Sequence, residues 1–161
     1  MTDIYQRAID KWGPAAQWQM VSEKCIELAL EVQRLKRERT TYKALANELA
    51  DVEIVCAQAH LMLVGVRDTH PLQWTAKRLF KLGASCIWAH LSDACMSMAS
   101  EIVREEMYPD PDYYDYSIDR VQCLSLLDEA VIAARKLLGD ALVDKCKAQN
   151  LARLQELIDG K

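Results

Sequence analysis

An all-α helical bundle is the fold class that three observations predict. Gly (5) and Pro (4) are scarce among 161 residues, so the chain has few places to turn, and long helices with short connections follow. Apolar residues recur at steps of three and four over long stretches, the spacing of one helix face. No segment reads as a strand. A hydrophobic share of 51% with 27% charged residues belongs to a folded chain with a real core. At this length about 70% of the unfolded surface can be buried within one domain.

The elements follow in order. A short helix is expected over residues 3–11, ended by Gly13-Pro14. A second runs over 15–39 with the seam Trp18, Val21, Cys25, Leu28, Val32 and Leu35; Ile26 and Leu30 on its far side predict that it is covered on two sides. Thr40-Thr41 caps a third helix, whose seam is Leu45, Leu49, Val52, Cys56, Ala59 and Leu63. Two long helices with matching seams and a short connection make an antiparallel pair. After Gly65 and Asp68-Thr69-His70-Pro71, a helix is expected over 71–81, then a long one over 84–107. Pro109 and Pro111 forbid helix in the acidic, Tyr-rich stretch 108–116, which reads as an exposed loop with Ser117 as the next cap. Helices over 118–138 and 141–158, separated by Gly139, complete the chain.

Charge and composition narrow the function. A net charge of −4 argues against binding a nucleic-acid polymer, which needs a basic field, but leaves room for nucleotides held through metal ions. The six cysteines form no CxxC pair and fall mostly on apolar helical positions, as reduced core thiols of a cytoplasmic protein would. The first residues lack the basic and apolar segments of a signal peptide, and no apolar run approaches the ~20 residues that span a bilayer. The three histidines share no ligand spacing, and the four tryptophans read as core, with Trp12 or Trp74 able to stack a base if one stood at a site mouth.

The chain resembles itself. Sliding it by 70 residues sets Lys11–Arg34 on Lys81–Arg104 with eight of 24 positions identical, among them Gly13/Gly83, Trp18/Trp88, Ser22/Ser92, Cys25/Cys95, Glu31/Glu101 and Arg34/Arg104. The match fades beyond Arg104. Within one domain spanning 1–161, residues 11–65 bear the motifs described next, residues 71–138 are either a degenerate second copy or an insertion, and 140–158 form the closing helix.

The chemistry lies in the second and third helices. Glu23, Glu27 and Glu31 rise along one face at i, i+4, i+8, and Glu48 and Asp51 project together at i, i+3. In an antiparallel pair these carboxylates converge, which is unfavourable unless a cation sits among them. Oxygen-only ligands select hard ions such as Mg²⁺ or Mn²⁺. A charge-rich helix face is ordinarily just solvated, but Glu27 and Glu31 repel one another and are poor choices for simple helix support.

The segment Lys11-Trp12-Gly13-Pro14-Ala15-Ala16-Gln17, with Met20 and Glu23-Lys24-Cys25-Ile26-Glu27-Leu28, resembles the opening of a MazG-like domain, whose first motif is EExxE. The second motif, ExxD, stands here as Glu48-Leu49-Ala50-Asp51-Val52-Glu53-Ile54, and Lys147-Ala148-Gln149-Asn150-Leu151-Ala152-Arg153-Leu154 is similar to the family's closing helix. The resemblance covers residues 11–60 and, less closely, 140–158. It implies a MazG-like bundle working as a dimer or higher oligomer. The implied activity is metal-dependent hydrolysis of a nucleoside triphosphate, often a deoxynucleotide, to monophosphate and pyrophosphate, with Mg²⁺ or Mn²⁺ as cofactor.

The implied catalytic set is Glu27, Glu48 and Asp51, with Glu23 and Glu31 as further metal ligands. Lys36, Arg37, Lys147 and Arg153 are the candidate phosphate contacts, and Asn150 a polar one. One position departs from the motif. Lys24 stands where the family has its second Glu, a metal ligand. A protonated ammonium cannot coordinate a metal, and carboxylates around it keep it protonated. Either Glu23 substitutes as ligand and the chain is an enzyme, or Lys24 pairs with Glu27, Glu48 or Asp51 and takes the ion's place, leaving a non-catalytic module that binds a nucleotide or a protein partner. A lysine inserted among the carboxylates favours the second outcome and one swung to solvent the first.

Overall fold

The computed structural model describes residues 4–63, 83–107 and 116–160. Six helices account for them: α1 (Ile4–Trp12), α2 (Pro14–Lys36), α3 (Tyr42–Met62), α4 (Ala84–Met107), α5 (Tyr116–Leu138) and α6 (Asp140–Asp159). There is no strand among the described residues, and the fold class is all-α. The expected helix 71–81 and loop 108–115 lie outside them. None of the helices is long and apolar enough to cross a membrane.

Local chemistry sets the ends. Gly13 opens α2 at φ +83°, a conformation costly for any residue with a Cβ, and its counterpart in the 70-residue repeat, Gly83, sits at φ +90° before α4. The Thr41 hydroxyl accepts the Ala44 N–H at 3.1 Å and caps α3 as expected. Helix α2 ends at Lys36 rather than at 39, because Glu38 turns to φ +55° and the chain reverses into α3. Helix α5 begins at Tyr116, ahead of the expected cap, a difference within the usual fraying of helix ends.

The core is one cluster. Trp18, Val21, Cys25, Leu28 and Val32 on α2 meet Leu45, Leu49, Val52, Cys56 and Ala59 on α3, with Ile87, Leu91, Cys95, Met98 and Ile102 on α4 and Leu124, Leu127, Val131 and Ala134 on α5 closing round them. Each buried Leu or Ile of this set stabilises the fold by about 1.5–3 kcal/mol. Helix α2 is covered on two sides, by α3 and α4, but not through the residues expected: Ile26 and Leu30 are exposed, as is Trp12, which lies under the Lys11 ammonium instead of in the core. Four cysteines are buried, Cys123 is half-buried, Cys86 is exposed, and all six are free thiols.

Helices α2 and α4 cross antiparallel, with Cys25 against Cys95 at the crossing. Residues paired by the repeat are equally buried on the two helices: Trp18 and Trp88, Ser22 and Ser92, Cys25 and Cys95, Ala29 and Ala99. Glu31 and Glu101 are both buried, and each binds the Arg three residues on, at 2.9 Å for Arg34 and 2.8 Å for Arg104. The correspondence reaches further than the identities do. With a shift of 75 residues, the buried Ala46, Leu49, Ala50, Val52, Val55 and Cys56 of α3 fall on the buried Val121, Leu124, Ser125, Leu127, Ala130 and Val131 of α5. Across the seam between those helices Arg135 binds Glu53 at 2.8 Å and His60 binds Asp128 at 2.7 Å. Under the same shift Glu53 maps onto Asp128 and His60 onto Arg135. The two pairs are therefore one contact made twice, the reciprocity that a two-fold relation generates.

The two contacts differ in strength and in pH response. Glu53 is nearly enclosed, with both of its oxygens held by one Arg135 nitrogen, Nη1, and one of them also by Lys147, whereas His60 and Asp128 are more exposed. Replacing Arg135 with Met strands a carboxylate that Lys147 only partly compensates, so the urea midpoint should fall by an amount equivalent to about 2 kcal/mol. A change within ~0.5 kcal/mol would show that Lys147 suffices. The hydrogen bond from His60 to Asp128, opposed by partial burial, lifts the imidazole above its ordinary value. A group whose folded pKa is raised contributes stability that is complete below about 6.5 and lost as pH rises through the folded value. Melting temperature should therefore fall with rising pH over that window, and Asp128→Asn should flatten the profile there.

Candidate functional site

Helices α2 and α3 bring their acidic faces together near the middle of the pair. The Lys24 ammonium stands among them, 2.8 Å from Glu27 Oε2 and 3.5 Å from Asp51 Oδ2. The second oxygen of Asp51 accepts a 2.6 Å hydrogen bond from the Asn150 side-chain amide on α6, so three helices meet at one carboxylate. Glu48, one turn before Asp51, makes no hydrogen bond or ion pair with any described residue, yet lies close enough to Asp51, Glu27 and Glu31 to be repelled by all three.

The electrostatics follow from that crowding. Burial first, then repulsion by Asp51 and Glu27, pushes the Glu48 carboxyl above the ordinary carboxylate value, with Lys24 opposing. Burial also lifts Asp51, against the pull of Lys24 and Asn150. At Lys24 burial works against the charge, but the hydrogen bond to Glu27 and the attraction of Asp51 and Glu27 outweigh it and the ammonium is held above its usual value. The lysine is a fixed cation in a cluster that still carries excess negative charge.

The structure sorts the residues singled out in the sequence. Glu27, Glu48 and Asp51 converge, with Asn150 beside them. Glu31 is consumed elsewhere: buried, it accepts from Arg34 and from the Thr40 hydroxyl and ties the end of α2 to the turn before α3. Glu23 is exposed on the rim, next to Glu27 along a cavity between α2 and α4. Lys147 is bound to Glu53, not to the cluster. Lys36, Arg37 and Arg153 are exposed, and no described contact brings them to it.

Lys24 spans two of the carboxylates and sets a fixed positive charge where a cation would stand. Among the described residues no three His, Cys, Asp or Glu side chains stand together as a metal-binding group. The site in this form does not fit a resident divalent ion.

The sequence reading missed two features. Thr40 as a partner of Glu31 has only a weak signal, a hydroxyl placed to cap the next helix. The cavity lined by Gln19, Ser22, Glu23, Ile26, Glu27, Ile102 and Val103 depends on how α2 and α4 cross, although the outward Ile26 beside two Glu residues was its one visible trace. No protein-family model, no curated protein and no solved structure matches the chain.

The raised carboxyls make a pH prediction. Both Glu48 and Asp51 bind protons more readily in the folded state, so the stability they carry is complete below their ordinary values and lost as pH rises through the folded ones. Glu48→Gln removes one repelled charge. It should raise the melting temperature at pH near 7 and have little effect at about pH 4, where the wild-type group is protonated. An equal shift at both pH values would locate its effect in packing rather than charge.

Proposed function

We propose that this chain is a MazG-like protein that binds a nucleoside triphosphate, supplied as its divalent-metal complex, with hydrolysis to monophosphate and pyrophosphate impaired by Lys24. The sequence over residues 11–60 supports the nucleotide, and the all-α bundle is of the kind that this resemblance implies. One observation carries the impairment: the Lys24 ammonium bridging Glu27 and Asp51 from the position where the motif has a ligand carboxylate.

The chain's own residues do the following in this reading. Asn150 fixes one face of Asp51, and Lys24 fixes the other and keeps Glu27 against α3. Their combined charge is negative, so the cluster repels a bare triphosphate and favours one that arrives with its cation. A lysine in place of one ligand lowers the charge available to any such cation, and it repels the ion directly.

A second reading, a working metal-dependent pyrophosphohydrolase that tolerates Lys24, is favoured by one feature: Glu48 has no hydrogen-bond or ion-pair partner among the described residues, and Lys24 only partly offsets the repulsion on it. Homo-oligomerisation belongs to the same proposal and rests on the resemblance alone, while a cytoplasmic setting rests on the cysteine pattern of the sequence.

The deciding assay is pyrophosphate release from a panel of ribo- and deoxynucleoside triphosphates with Mg²⁺, with Mn²⁺ and with EDTA. The expected result is little or no release by the unaltered chain and a gain of at least about tenfold in Lys24→Glu, abolished by EDTA. Strong metal-dependent release by the unaltered chain, lost in Glu48→Ala, would overturn the impairment and establish the enzyme.

A further inference from the structure

The crossing of α2 and α4 is not the same on its two sides. On one side lies the cavity of about 320 Å³ lined by Gln19, Ser22, Glu23, Ile26 and Glu27 from α2 and by Ile102 and Val103 from α4. The repeat relation sends Ser22 to Ser92 and Val103 to Gln33. On the other side those counterparts touch: the Gln33 amide reaches over Ser92, with Nε2 3.4 Å from the hydroxyl. On the cavity side Val103 has no polar group to offer, and Ser22, more than nine-tenths buried, makes no hydrogen bond with any described residue. One side of a near-symmetric crossing is covered by glutamine. The side that kept its carboxylates is open.

We infer that the open cavity is a subsite for an uncharged planar heterocycle, the base of the nucleotide, and that Val103 determines its specificity by leaving Ser22 and the floor uncovered. The identity of the ligand rests on the nucleotide reading above; the cavity and its asymmetry do not. Its volume lies at the low end for small-molecule sites and suits one ring system rather than a whole triphosphate. The lining has the needed chemistry: Ile26, Ile102 and Val103 give apolar walls, while Gln19 and Ser22 offer donors and acceptors to a ring edge. Glu23 and Glu27 along the cavity keep phosphate out of it, and the triphosphate stays outside with its cation turned toward Glu27, Glu48 and Asp51. The exposed Ile26, an unfavourable residue to leave in water, gains a partner when the ring enters.

The test is calorimetric binding of the four deoxynucleoside triphosphates and of inorganic tripolyphosphate, each with Mg²⁺, to the full chain and to Val103→Gln and Ser22→Ala. Val103 is partly exposed on a helix and Gln is a good helix former, so the first variant should fold. The inference expects at least one nucleotide to bind more tightly than tripolyphosphate. Val103→Gln should weaken that nucleotide at least about tenfold, Ser22→Ala should weaken it by a smaller factor, and tripolyphosphate should be unaffected by either. If nucleotides bind no better than tripolyphosphate, or if Val103→Gln leaves the preference intact, the base does not occupy the cavity and the inference fails while the nucleotide reading stands. If neither ligand binds, the nucleotide reading fails and takes this one with it.

Discussion

A carboxylate as enclosed as that of Glu53 cannot remain charged without cations at hand, and the way it finds them organises the bundle. From α5 the Arg135 Nη1 reaches both of its oxygens and from α6 Lys147 reaches one, so one side chain of α3 joins three helices. Apolar packing alone is permissive about sliding and rotation; charge-assisted hydrogen bonds from two helices to one carboxylate are not. Because Asp51 sits two residues before Glu53, fixing the register of α3 against α6 also places Asp51 beneath Asn150. The acidic cluster thus takes its geometry from an ion pair that is not part of it.

The reciprocal contact, His60 with Asp128, has the same topology and a weaker chemistry, and the difference matches the rest of the asymmetry. The half that contains α2 and α3 holds the carboxylates, the bridging lysine and the open cavity. In the half that contains α4 and α5, the positions of Lys24 and Glu27 are Ala94 and Ser97, and those of Glu48 and Asp51 under the 75-residue shift are Cys123 and Leu126. Each of those replacements removes charge from the equivalent place. That half is left as the packing surface against which α2 and α3 are held.

Much of this arrangement was legible in the sequence, and the limits are instructive. All the seam residues of α2 and α3 except Leu35 and Leu63 are buried, because periodicity reports burial directly. Small and polar residues beside the seams, such as Ser22, Ala29, Ala46 and Gln58, are buried too and carry little apolar signal. The repeat was visible in α2 and α4 and not in α3 and α5, since the shift changes from 70 to 75 residues between them and identities give way to matched burial alone. Ile26 and Leu30 show the opposite failure: an apolar side chain at the edge of a stripe reads the same whether a neighbour covers it or water does. At the site, spacing foretold that Glu27, Glu48 and Asp51 would meet, and chemistry foretold two fates for Lys24. Spacing could not foretell that Glu31, on the same stripe, is turned to Arg34 and Thr40 at the helix end.

The position of Lys24 bears on stability as well as on chemistry. Clustered carboxylates at a half-buried seam destabilise a fold until something positive joins them, and an external ion can do so only when it is bound. A lysine built into the chain does it unconditionally, with its own charge secured by Glu27 and Asp51. The bundle therefore closes without waiting for a metal. In the proposed reading that independence has a functional cost, because the same ammonium would block the coordination that activates water at a phosphate. Glu48, without a partner among the described residues, carries the repulsion that Lys24 offsets only in part. The apolar walls of the neighbouring cavity come from Ile26, Ile102 and Val103 rather than from the Lys24 contacts, so in the proposed reading ligand selection would persist where the chemistry has given way to structural closure.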